Sequence, residues 1–194
     1  MDELAPFLTE SKVIDSDNPA VQRLAAEIRR PTPIETVRAA YETVRDRFPH
    51  SYDIHARAVS VSAADVLRNG HGICFAKSHL LAAVLRANGV PTALCYQKLA
   101  RDDLAAGATC LHGLNAVWLG ELGRWHRLDP RGNKPGIDAA FDLACERLAY
   151  AIDPTRGEID YPDRYAEPLP GVLAALRGYP TIAELDRNLP ADIG

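Results

Sequence analysis

Between Asn69 and Pro91 the chain reads NGHGICFAKSHLLAAVLRANGVP, and this stretch constrains the fold more than any other. The spacing predicts a helix from about Cys74 to Asn88, with Gly89 as its C-cap and Pro91 as its stop. Phe75, Ala76 and the unbroken apolar run from Leu80 to Leu85 leave that helix little polar surface. It should therefore sit in the centre of the fold.

Helices lead up to it. Asn18 followed by Pro19 reads as an N-cap and a first helical position, with the helix stopping before Pro31. Thr32-Pro33-Ile34-Glu35 is a capping box, and Ile34, Val37, Tyr41, Val44 and Phe48 recur at three and four as an amphipathic stripe. PHSYDIHARAV then reads as an irregular connection. Ser62 to Asp65 is a second capping box, and Gly70 ends that short helix.

Strands come after it. TALCYQKL, LHGLNAVWL and RWHRLDP are three strand candidates, the last closed by Pro130, and GELG between the second and third suggests a hairpin. Arg131 to Pro170 is rich in Pro, Gly and Asp and reads mostly as loop. Two short helices, GVLAALRG and a capped TIAELDRN, complete the pattern. Helices first and an antiparallel sheet second is an α+β arrangement.

At 194 residues one domain is expected, with a core at about 62–132, a helical N-terminal region 1–61 and a loop-rich C-terminal region 133–194. A formal charge of -4 with no basic run gives no reason to expect a nucleic-acid partner. The acidic start lacks the apolar core of a signal peptide, and no stretch approaches the ~20 apolar residues of a membrane span. Four widely spaced cysteines without a CxxC suit small buried hydrophobes in a reducing cytoplasm better than a disulfide framework.

Cys74 stands out by position. At a helix start unpaired backbone N–H groups and the positive end of the helix dipole both favour a thiolate. Gly70 and Gly72 let the backbone turn sharply and let a substrate approach. Filling a small gap under the sheet is the alternative. A catalytic cysteine needs a base, and the base an orienting group. His112 opens the second strand and Asp129 closes the third, so a hairpin brings them together. Pairing Leu119 with Leu122 sets them directly opposite. Pairing Leu119 with Arg124 leaves them diagonal on the same face, and a slip of one residue between these registers would separate them.

GHGICFAKSHLLAAVLRANGVPTALCYQ, HGLNAVWL and WHRLDPRGN together resemble the transglutaminase-like superfamily of cysteine enzymes, over about Ser62 to Gly132. The likeness is to its small bacterial stand-alone members. It implies a papain-like or transglutaminase-like core with a central helix on an antiparallel sheet, and a nucleophile at Cys74, a base at His112 and an orienting acid at Asp129. It implies acyl transfer on a peptide, protein or small amide substrate. No cofactor is expected, and the cysteine usage together with the acidic start points to the cytoplasm. The chain departs from the family in carrying Gly113 and Leu114 after the histidine, and in lacking a Trp upstream of the cysteine. The expected oxyanion donors are the backbone N–H of Cys74 and, on the neighbouring strand, Gln97.

With only two Trp and four Phe to wall off water, hydrolysis is expected over transamidation. A protein-glutamine transglutaminase and a non-catalytic binding module keeping the fold are the alternatives. His71, Cys74, His79, Cys110 and His112 give no clean four-ligand spacing, so no metal is expected. His79 reads as a partly buried structural residue and Asn115 as a support for the sheet. HSYDIH reads as a solvated loop rather than a cleft wall, and RGNK as either a turn or a substrate gate.

Overall fold

The computed structural model describes residues 3–105 and 107–194. The helices are α1 (Pro19–Ile28), α2 (Pro33–Arg47), α3 (Ala63–Asn69), α4 (Cys74–Ala87), α5 (Pro170–Gly178) and α6 (Ile182–Asp186). The strands β1 (Thr92–Ala100), β2 (Thr109–Leu119), β3 (Arg124–Leu128) and β4 (Ile159–Asp160) form an antiparallel sheet in the order β3-β2-β1-β4. This is the expected α+β class. The short β4 lies in the segment that reads as loop.

Local chemistry sets the helix boundaries. Both capping boxes form, at Thr32 with Glu35 and at Ser62 with Asp65, and Asn18 accepts from the Ala20 N–H ahead of α1. Gly70 ends α3 in the left-handed region, at a φ of 76°.

α4 lies at the centre. Every residue from Cys74 to Arg86 is buried, with α1, α2 and α3 packed around it and β1 and β2 against its remaining face. Three of its buried polar side chains, Lys77, His79 and Arg86, reach backbone carbonyls of surrounding segments. Lys77 Nζ donates to Arg45 O at 3.1 Å and Arg131 O at 3.0 Å. Arg86 donates to the carbonyls of Thr9, Thr92 and Ala166. His79, fully rather than partly buried, has Nδ1 2.7 Å from Val61 O. Asn115 donates from the sheet to Ser78 O at 3.0 Å, in the supporting role expected of it.

Gly113 marks the closest approach of helix and sheet. A Cβ there would lie 2.6 Å from Phe75 Cδ1 and 3.4 Å from the Phe75 Cα. The glycine after His112 thus lets the first turn of α4 sit against β2. Gly113→Ala should destabilise the protein by about 1–3 kcal/mol, because Phe75 is walled in and cannot move aside freely. Urea denaturation checks this, and an unchanged midpoint would refute the contact.

Candidate active site

The hairpin adopts the register with Leu119 opposite Arg124 and Asn115 opposite Leu128, across the four-residue GELG loop. Asp129 follows Leu128 directly, so it lies diagonal to His112 on one face. His112 Nε2 is 2.8 Å from Asp129 Oδ2, with both side chains buried. Asp129 also accepts N–H bonds from Arg131 at 3.1 Å and Ala149 at 3.0 Å. Burial alone would raise the Asp129 pKa. The His112 charge and these donors hold it below the usual carboxylate range instead.

With Nε2 on Asp129, the other ring nitrogen of His112 is left for Cys74. Burial acts to lower the His112 pKa, but the Asp129 carboxylate and then the adjacent Cys74 outweigh it and push it up to about 10. Tyr150 stacks edgewise on the His112 ring with centroids 4.9 Å apart. The structure therefore brings Cys74, His112 and Asp129 together.

Cys74 sits at the first position of α4, on the floor of a cleft of about 580 Å³. One wall is built by the 50–56 turn with Arg131 and Lys134, the other by the ends of β1 and β2 and by residues of the 182–189 segment. Arg131 is buried and grips Asp53 through two nitrogens, at 2.6 and 3.0 Å, while its Nε donates to the Tyr150 hydroxyl at 3.0 Å. Lys134 adds a bond to Asp53 at 2.9 Å. RGNK is therefore part of the cleft wall.

The solvated-loop reading of HSYDIH is corrected. His50 and Ser51 are buried, and His50, Tyr52 and His55 line the cleft. The segment is laced to the turn before α4. Ser51 N–H donates to Gly72 O at 3.1 Å, Gly72 N–H to Pro49 O at 3.4 Å, and Ser51 Oγ lies 2.9 Å from His71 Nδ1. This places His50 Nε2 3.1 Å from the Cys74 backbone N, so the amide expected to bind an oxyanion already has a partner. Burial first, then the positive Arg131, lowers the His50 pKa well below the ordinary histidine value, against the pull of Asp53.

Gln97 is also corrected. It faces the same side of the sheet as its cross-strand partner His112, but its Nε2 is directed to Asp160 and it does not line the Cys74 cleft. Two contributors escape a reading of the sequence. Tyr150 and the Ala149 N–H lie in the loop-rich segment, where no periodicity marks them. All four cysteines are free thiols. Among the described residues no group of three or more His, Cys, Asp or Glu could hold a metal ion, and no helix is long and apolar enough to cross a membrane.

The effect of Asp129 on His112 is open to measurement. Folding raises the His112 pKa, so its contribution to stability is complete below about 6.5 and is lost as pH rises through about 10. Asp129→Asn should move the NMR titration of the His112 ring to lower pH and remove that alkaline loss of stability. A midpoint that does not move would exclude the carboxylate as the cause.

A sequence model of the transglutaminase-like superfamily matches residues 22–130, more than half of the chain. The fold is similar to that of a candidate cysteine protease from Cytophaga hutchinsonii, at 22% identity and a TM-score of 0.50, over 68% of this chain and 43% of that one. The periplasmic domain of TgpA from Pseudomonas aeruginosa is also similar, at 23% identity and a TM-score of 0.47, over 64% of this chain and 45% of that one. The chain thus aligns with less than half the length of either neighbour. No curated protein matches the sequence.

Proposed function

Starting from the fact that the chain belongs to the transglutaminase-like superfamily, we propose that it is a cysteine-dependent acyl-transfer enzyme, acting on a peptide or carboxamide bond through Cys74, His112 and Asp129. One observation carries this reading: the buried His112–Asp129 bond at 2.8 Å beside a cysteine that opens a helix on a cleft floor. The Cys74 sulfur adds to the carbonyl carbon. His112, as the imidazolium, gives a proton to the departing amine, and a thioester remains. His112 then takes a proton from the resolving water, the thioester breaks, and the acid leaves. Asp129 holds the ring by Nε2 and stabilises its charge.

Water is the favoured acceptor. Beside apolar residues such as Leu99, Leu111 and Ile182, the cleft walls carry Arg131, held by Asp53, and the Arg101–Asp186 ion pair, and the lining tyrosines are Tyr52 and Tyr150. Such walls do little to keep water from a thioester. Four free thiols suit a reducing compartment, and a cytoplasmic enzyme fits that chemistry.

Limiting iodoacetamide at neutral pH should modify Cys74 before the other cysteines. Burial pushes the Cys95 thiol up to about 12 and Cys110 up to about 11, which leaves both largely protonated. Cys145 is exposed but has no histidine base beside it. Peptide mapping reads the order, and labelling of Cys74 only after denaturation would count against a catalytic thiol.

A panel of glutaminyl and peptide donors with millimolar primary amine should yield more free acid than amine adduct. Cys74→Ala should abolish both products. Predominant adduct would replace the hydrolase by a transamidase, and turnover that survives Cys74→Ala would refute the nucleophile.

A further inference from the structure

We propose that His50 is a catalytic residue that supplies an oxyanion donor, its Nε2–H converging with the Cys74 backbone N–H on the carbonyl oxygen of the bound acyl group. This rests on the acyl-transfer reading above and assigns a role that Gln97, directed to Asp160, does not fill.

The argument begins with proton counting. Each ring nitrogen of His50 faces a backbone N–H: Cys74 N lies 3.1 Å from Nε2 and Tyr52 N lies 3.4 Å from Nδ1. A neutral imidazole has one N–H and one acceptor nitrogen, so it can satisfy only one of these amides at a time. With the proton on Nδ1, the ring caps Cys74, whose helix start has no other side-chain cap. With the proton on Nε2, the ring accepts from Tyr52, and the Nε2–H and the Cys74 N–H then face each other across 3.1 Å. An oxygen that accepts from both resolves that conflict. A developing oxyanion gains more from the pair than a ground-state carbonyl does, which is the requirement for catalysis.

The setting suits a neutral donor. Burial and the positive Arg131 and Lys77 disfavour a charge on His50, while Asp53 opposes them and His112 adds to them. A neutral imidazole N–H can polarise a carbonyl without competing for the proton that His112 carries. The ring is held edgewise by Tyr52, with centroids 5.0 Å apart, and its backbone is bridged to Gly72. The His50 backbone is thus fixed relative to the nucleophile, while a rotation of the side chain opens the Nε2 contact with the Cys74 amide and admits the oxygen.

Two reagents acting on the same thiol separate this role from simple helix capping. Iodoacetamide alkylates Cys74 without forming an oxyanion, whereas p-nitrophenyl acetate acylates it through one. His50→Phe in the full chain should slow acylation by about 10²–10³-fold while leaving alkylation nearly unchanged. His50→Gln, which restores a neutral N–H, should recover much of the loss. Acylation as fast as wild type, or an equal fall in both reactions, would overturn the proposal and leave the Cys74 nucleophile standing. A wild-type protein that is alkylated but not acylated would overturn the acyl-transfer reading, and this proposal with it. Should His50→Phe not fold, the wild-type chain gives the same decision by ¹⁵N NMR. The His50 ring should carry its proton on Nδ1 in the free protein and on Nε2 in the hemithioacetal formed with a peptide aldehyde. An unchanged tautomer would overturn the proposal.

Discussion

The burial of α4 on every side is the constraint on which the other features depend. A helix with no solvent face cannot place its polar side chains in water, so each must find a partner inside. Lys77, His79 and Arg86 do so by bonding to the carbonyls of flanking segments. The bonds that make the helix tolerable also fix the segments around it. Lys77 ties the end of α2 to the turn after Asp129. Arg86 gathers the N-terminal segment, the start of β1 and the segment before α5. Cys74 inherits this rigidity, because its position is set by a helix that has nowhere to move.

Precision at the cleft follows from close packing at two glycines. Gly113 brings Phe75 against β2, and His112 is the residue before it. Gly72 meets Ala76 Cβ at 3.1 Å and Val66 Cγ2 at 3.2 Å where a side chain would begin, while its backbone binds Ser51 and Pro49. One glycine therefore sets the distance from helix to His112, and the other the distance from helix to His50. This also explains the departure from the family pattern after the histidine: a side chain at 113 would push Phe75, and Cys74 with it, off the strand.

Much of this was legible in the sequence where the determining contacts are local. The caps at Asn18, Thr32 and Ser62 bond to residues two or three positions away, and their side-chain chemistry names them. The hairpin was legible too, since a loop as short as GELG leaves few registers, and the one adopted keeps His112 and Asp129 on one face. What was not legible depends on contacts between distant segments. His50 reaches Cys74 through a bridge to Gly72, 22 positions away, and nothing in HSYDIH announces a strand. Tyr150 and the Ala149 amide come from a stretch with neither helical nor strand period. Gln97 shows the opposite failure: it lies on the neighbouring strand as expected and shares the His112 face, but its amide is directed to Asp160 on β4.

Two histidines within one cleft are held in different charge states, and Arg131 contributes to both. Its backbone N–H supports the Asp129 carboxylate that keeps His112 protonated. Its guanidinium lies near enough to His50 to disfavour a charge there. Asp53 would draw a proton onto His50 if left alone, but Arg131 and Lys134 both occupy it. The carboxylates are thereby divided, Asp129 serving the imidazole that must carry a proton and Asp53 neutralised by the cations. Identical side chains acquire different chemistry from where those carboxylates stand. The division also dictates the roles available: the charged ring can act as an acid, while the neutral one can only donate or accept a hydrogen bond.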